Sequence, residues 1–286
     1  MASANYGIAN NGSECRMIRE ASTALTWAAQ LWRVAPSTLT AVRIKHGLTN
    51  ESFSITGGPE DVVVRISITD EHALQLDRTS EEIVLDLVEQ AGIGAAVLLC
   101  NPQARVLITR QLPGRTLQLA ELSSEQNIAR LAQLLRQLHS LPVPATVQTI
   151  DLTTVLHGYW NELDAVLTSD NQYDNQQIQQ RQLALEVAAE SALQPRRCLC
   201  HNDVHHLNLI DNDERLWLLD WEYAGIGDPY FDLASVCCYH DFNESQRNWL
   251  LTHYAAAAFP TDQARLQRMC WLFDYIKALW FAVREG

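Results

Sequence analysis

The segment Cys200–Ala234, CHNDVHHLNLIDNDERLWLLDWEYAGIGDPYFDLA, sets His201, Asp203 and Asn208 in the spacing H-x-D-x4-N and ends the apolar run LWLL on Asp220. Phosphoryl transfer from a nucleotide needs a carboxylate that orients a hydroxyl, together with oxygen ligands for a divalent cation. Asp203 is read as the proton acceptor, with His201 in the same catalytic group. Asn208 and Asp220 are hard oxygen donors of the kind Mg2+ prefers. The apolar stretches Leu207–Ile210 and Leu216–Leu219 place these groups on a paired, buried hairpin. The plain alternative is a loop rich in Asp and His that caps a hairpin. A second acid at the end of a strand, followed by a Trp-Glu-Tyr turn, favours the catalytic reading.

The elements that position this segment follow from periodicity. Cys15–Trp32 carries apolar residues at helical spacing, with Ser13 as a cap. β-like runs follow at Leu39–Lys45, Glu51–Thr56 and Val62–Ile68, with Gly57-Gly58-Pro59 as the turn between the last two. A helix capped by Thr79 or Ser80 ends near Gly92, and Val97–Cys100 and Arg105–Arg110 read as further strands. After Pro113-Gly114 the pattern is helical: Ser123–Ser140, Asp151–Leu167, Asn175–Leu193, Pro229–Tyr239, Glu244–Ala258 and Asp262–Arg284. The expected class is α+β in two lobes: a leader over 1–13 without fixed structure, a small β-rich N-lobe over 14–112 and a larger α-helical C-lobe over 113–286. Gln111–Gly114 is the hinge.

Bulk properties narrow the partners. A chain of 286 residues with net charge −13 is a poor fit for nucleic acid or an anionic membrane and a better one for a cationic small molecule. No stretch approaches the ~20 apolar residues of a membrane helix, and the start lacks the basic and apolar regions of a signal peptide. Seven cysteines without regular spacing read as reduced, buried thiols of a cytoplasmic protein. Cys198, Cys200, His201, His205, His206 and Cys237-Cys238 invite a zinc reading, but C-x-C-H is not the C-x2-C of common structural zinc sites. Composition sets no oligomeric state.

The same segment resembles the aminoglycoside phosphotransferase and choline kinase superfamily, most of all its choline, ethanolamine and thiamine kinase branch. DWEYAGIGDPYFDLA, Asp220 to Ala234, is nearly that branch's own wording, and the resemblance runs from about Lys45 onward. It implies a protein-kinase-like fold and use of ATP with Mg2+. In such a fold the first hairpin covers the triphosphate, here His46–Ser52, with Gly47 for close backbone approach and Thr49 and Asn50 as short donors. Arg65 in VVVRIS stands where a cation grips the phosphates, and a guanidinium does this bidentately. Glu81 and Glu82 are both available as its carboxylate partner, and counting back from the Ala91-Gly92-Ile93 turn favours Glu81, although an acid in a helix's first turn is also expected from the helix dipole. Gln111 and Leu112 would present backbone groups to the adenine.

The acceptor is expected to be small. Only eight residues separate Asp220 from Pro229, and none is Ser or Thr, so the chain lacks the long activation segment on which a peptide would dock. Trp221, Glu222, Tyr223, Tyr239 and Trp280 are assigned to acceptor binding, since aromatic faces and a carboxylate suit a quaternary or thiazolium-like cation. Trp271 and Tyr275 share a helical face, which simple core packing explains. Tyr239 stands where the branch usually carries an acid, with Asp241 two residues on. The resemblance makes Asp228 and Asp232 structural carboxylates that cap a helix and brace the catalytic loop. The expected activity is phosphorylation of a cationic alcohol. Two alternatives remain: an aminoglycoside-type phosphotransferase and a silent nucleotide-binding pseudokinase.

Overall fold

The computed structural model describes residues 11–44, 50–67, 76–165, 174–194, 196–255 and 261–285 (11–19 and 285 by backbone alone). These divide at 69/70, 95/96 and 112/113 into two compact units.

The first unit is one helix on an antiparallel sheet. Helix α1 (Asn11–Trp32) precedes β1 (Thr40–Ile44), β2 (Asn50–Thr56) and β3 (Val62–Ser67). Strands β4 (Val97–Asn101) and β5 (Val106–Arg110) complete the sheet, whose order is β1-β2-β3-β5-β4. Alternation decides which face is buried: Phe53 and Ile55, Val62 and Val64, Val106 and Ile108 all point into one core with Ala24, Ala28 and Ala29 of α1. Small residues four apart on α1 let its backbone come close to the sheet. The β2–β3 turn depends on its glycines. Gly57 has φ +91, and a Cβ on Gly58 would lie 2.3 Å from the Trp32 ring, so a side chain at either position strains the turn. Helix α1 starts upstream of the expected Cys15, inside the stretch assigned to a leader, so Ser13 lies within it.

The second unit holds helix α2 (Arg78–Gln90), so this helix is grouped with the C-terminal part of the chain and not with the β-rich part. Its cap is Asp77, not Thr79 or Ser80. The Asp77 carboxylate accepts from Thr79 N (3.0 Å) and Ser80 N (3.1 Å), while the Ser80 hydroxyl accepts from Gln148 N at 2.9 Å. Carboxylates at a helix start also meet the positive end of its dipole. After β6 (Arg115–Thr116) come α3 (Glu125–Leu138), α4 (Leu152–Ala165) and α5 (Asn175–Ala192). The segment from Cys198 onward contributes β7 (Cys198–Cys200), β8 (Leu209–Asp211), β9 (Leu216–Leu218) and β10 (Gly225–Gly227), and α6 (Pro229–Tyr239), α7 (Glu244–Tyr254) and α8 (Gln263–Glu285) follow. Strand β7 pairs with β10, and β6, β8 and β9 form a second small sheet.

Helix α6 is the centre of this unit. Every residue from Pro229 to Cys237 is buried, the pattern of a helix enclosed on all sides. Its start is fixed by Asp228, which caps it through Tyr230 N (3.0 Å) and accepts from Arg265 Nη2 of α8 with both carboxylate oxygens, at 2.6 and 2.7 Å. No helix among the described residues is long and apolar enough to cross a membrane.

Candidate active site

The loop between β7 and β8 carries Asp203, and it is tied down from behind. Asp232 on α6 has no solvent exposure. Its carboxylate accepts from His201 N (2.8 Å) and Asn202 N (2.6 Å) and touches His139 Nε2 at 2.9 Å. Ser235, one turn later, accepts from Val204 N at 3.2 Å. A buried carboxylate holding consecutive backbone N–H groups fixes the path of the loop, because each unpaired donor would be costly there. Asn202 takes φ +67 and locks it by donating Nδ2 to Tyr223 O at 2.8 Å. Asn tolerates that conformation better than most residues.

His201 is fully buried, and both ring nitrogens are engaged. Nε2 faces Leu219 O at 2.8 Å and Nδ1 accepts from Asp203 N at 3.2 Å. Burial holds its pKa below the usual imidazole value, which keeps it neutral with the proton on Nε2. The residue grouped with Asp203 as catalytic is therefore placed as a clamp: it aims the Asp203 backbone and ties the loop to the strand leading into Asp220.

Asp203 is the polar centre of the loop. Oδ1 accepts from the Tyr239 hydroxyl at 2.8 Å, and Oδ2 lies 3.4 Å from both His205 Nε2 and Asn208 Nδ2. Its side chain keeps 23% exposure, enough for a hydroxyl to reach it. Burial pushes its pKa up, but the His205 bond and charge, His201 and Tyr239 outweigh this, so the carboxyl sits below its ordinary value. Asn208 donates Nδ2 to Asp203 O at 3.0 Å, which leaves its Oδ1 as the acceptor end. Leu219 N donates to Asn208 O at 2.8 Å, so the ladder seats Asp220 beside this loop. Asp220 itself has φ +64. Hard oxygens from Asn208 and Asp220 on one hairpin suit Mg2+.

The acceptor assignments separate. Trp221 is 2% exposed, packs edge-on against His201 at 4.8 Å and donates to Leu218 O. It is core, and the left-handed turn at Asp220 is what carries it inward. Glu222 is also 2% exposed and faces Arg78 of α2 at 3.2 Å, so it is buried in an ion pair and not open to an acceptor. Glu81 meets the same Arg78 at 2.7 Å. The carboxylate expected to partner Arg65 thus has a cation on its own helix, while Arg65 stands half-buried on β3. Tyr223 and Trp280 join through Trp280 Nε1 and the Tyr223 hydroxyl at 3.1 Å. Burial, then the Glu222 charge, lifts the Tyr223 hydroxyl far above its usual pKa. Tyr239 replaces the expected acid and bonds to Asp203 itself. Trp271 and Tyr275, both half-buried, stack in parallel at 5.5 Å, and Tyr275 bonds to Trp160.

On the nucleotide side, Gly47 and Thr49 lie outside the described residues. Asn50 is 4% exposed and opens β2 opposite Ser67. The Gln111 N–H donates to Asp61 O and its side chain accepts from Ser54. That N–H is therefore committed within its own sheet, which corrects the expectation that it meets a base. Leu112 is half-buried. Sequence reasoning missed Arg78, His139 and Arg130. Arg130 grips Asp211 of β8 in a two-pronged pair at 2.7 Å, across a separation in sequence that no local spacing reveals.

Residues 40–268 match the model of the phosphotransferase enzyme family, and the chain belongs to that family. Protein LicA of Haemophilus influenzae is 24% identical over 250 residues, covering 84% of this chain and 72% of that protein. A thiamine kinase of Shigella boydii is 40% identical over 88 residues, 29% of this chain and 31% of that one. The crystal structure of the choline kinase LicA from Streptococcus pneumoniae superposes with a TM-score of 0.76 at 20% identity, covering 96% of this chain and 91% of that one. The fold is thus the α+β, two-lobed, protein-kinase-like one that the sequence implied.

Proposed function

We propose that the protein is an ATP- and Mg2+-dependent kinase that phosphorylates the hydroxyl of a small cationic alcohol such as choline, ethanolamine or thiamine. The observation that carries this reading is Asp203, partly open to solvent while its backbone and both oxygens are held. Asp203 takes the proton as the acceptor oxygen attacks the terminal phosphorus and the nucleoside diphosphate leaves. Tyr239 and His205 hold the carboxylate in one orientation, and Asp232, His201 and Ser235 keep the loop from moving. Bound Mg2+ would neutralise the triphosphate charge, held by Asn208 Oδ1 and Asp220.

Asn208→Ala and Asp220→Ala are expected to weaken binding of Mg2+ with a nonhydrolysable ATP analogue by roughly tenfold or more. Each removes an oxygen ligand, and ~1.4 kcal/mol is a factor of ten. Calorimetric titration decides this, and unchanged affinity in both variants would remove these residues from the metal.

Selection of a cation rests on ring faces, since Glu222 is met by Arg78. Tyr223, Tyr239 and Trp280 are the rings concerned. One face carries the protein's own cation: Lys277 Nζ lies 5.4 Å from the Tyr239 ring and 5.7 Å from Phe273. An exposed cation–π contact contributes ~0.5–1 kcal/mol. Lys277→Met is therefore expected to lower KM for cationic acceptors by about two- to fivefold and to leave a neutral isostere unaffected. An ADP-release assay across choline, ethanolamine, thiamine, kanamycin and a neutral isostere of choline tests the acceptor class. Preference for kanamycin, or equal turnover of the neutral isostere, would defeat the cationic-alcohol reading.

A further inference from the structure

Directly behind the catalytic loop, His139, Cys198 and Cys200 bring one nitrogen and two sulfurs within 4.8 Å of one another. We infer that this cluster is a binding site for a thiophilic divalent cation of the Zn2+ type. The two cysteines lie on the same face of β7, one residue apart, with Sγ atoms 4.0 Å apart. A tetrahedral ion with ~2.3 Å metal–sulfur bonds sets its sulfurs ~3.8 Å apart, so the strand already holds them near the required spacing. His139 reaches them from the C-terminal end of α3, a contact spanning some sixty residues of chain. It is this residue, and not the neighbouring His201, His205 or His206, that completes the set. His201, His205 and His206 are not among the ligand atoms brought together there.

The surroundings suit an ion. Both ring nitrogens of His139 have oxygen partners, Tyr254 Oη at 2.8 Å and Asp232 Oδ2 at 2.9 Å. Whichever nitrogen turns to a metal, the other keeps an oxygen that orients the ring, as is usual for metal-ligating histidines. Cys198 is 6%, Cys200 0% and His139 1% exposed. A doubly charged ion in so dry a place must be neutralised locally. Two thiols do this by releasing their protons: one divalent ion enters, two S–H bonds break, two metal–sulfur bonds form and two protons leave. Affinity should accordingly rise with pH.

The test uses the reduced, chelator-treated full chain. Cd2+ is the optical probe, since cadmium–thiolate bonds absorb in the near ultraviolet where the apo protein does not gain intensity. Zn2+ is the stabilising ion. We expect a thiolate band that saturates at one Cd2+ per chain, and a rise in Tm with Zn2+, because a ligand bound only by the native state stabilises it. Cys198→Ser and His139→Gln should each abolish saturation at that stoichiometry. Cys238→Ser, which alters a separate thiol against Cys270 O, should leave it intact. Should Cys198→Ser fail to fold, the wild type and Cys238→Ser still decide the matter. A band absent from the wild type, or lost in Cys238→Ser, overturns the inference, as does one that persists in His139→Gln.

Discussion

Asp203→Asn is expected to cut kcat by about two to four powers of ten, the usual cost of removing a general base, with nucleotide affinity nearly unchanged. The amide still fills the space between Tyr239 and His205, and Asn208 and Asp220 are untouched, so the loss falls on proton acceptance. The pH profile adds a second check. Asp203 is held below the ordinary carboxylate pKa. A depressed folded-state pKa means that its ionised form persists, and its stabilisation is present, above the ordinary value. Both are lost only as pH falls through the lowered one. The acid limb of kcat/KM for the wild type should therefore lie below the ordinary carboxylate range, and it should vanish in Asp203→Asn. Retention of more than about a tenth of wild-type kcat would remove Asp203 from the base role.

The largest expected effect on stability comes from Asp232→Ala. The substitution strands the buried N–H groups of His201 and Asn202 and takes a partner from His139. Two buried donors left unpaired cost ~1–3 kcal/mol each, so the variant should lose about 2–6 kcal/mol and its Tm should fall on the order of 10 °C. Activity should fall with it, because the loop that aims Asp203 loses its anchor. Asp232→Asn, which keeps one carbonyl oxygen for one of the two N–H groups, should lie between the alanine variant and the wild type. Thermal unfolding followed by circular dichroism measures both. An alanine variant that melts with the wild type would show that the loop is held by something other than Asp232.

The candidate site residues were legible because they are local. His201, Asp203, Asn208 and Asp220 lie within twenty residues on a hairpin whose apolar runs announce themselves, and the strands and helices around them follow from alternation and from 3.6-residue periodicity. Boundaries moved by only a few residues, as where Asp77 and not Thr79 or Ser80 caps α2. That difference is electrostatic: a carboxylate placed just before the helix meets two open N–H groups at once.

What only the tertiary structure decided is which charges were already spent. Trp221 and Glu222 follow Asp220 in sequence, yet φ +64 at Asp220 is followed by one packing against His201 and the other facing Arg78, some 144 positions upstream in the chain. His139 meets Asp232 and the two cysteines, and Arg130 meets Asp211, through helix packing that no spacing encodes. A motif records the residue types that a reaction needs, because neighbours in a loop share one backbone path. Whether a carboxylate is open to a substrate or closed by an arginine depends on burial and on partners brought together from distant parts of the chain, and these exist only once the core has formed.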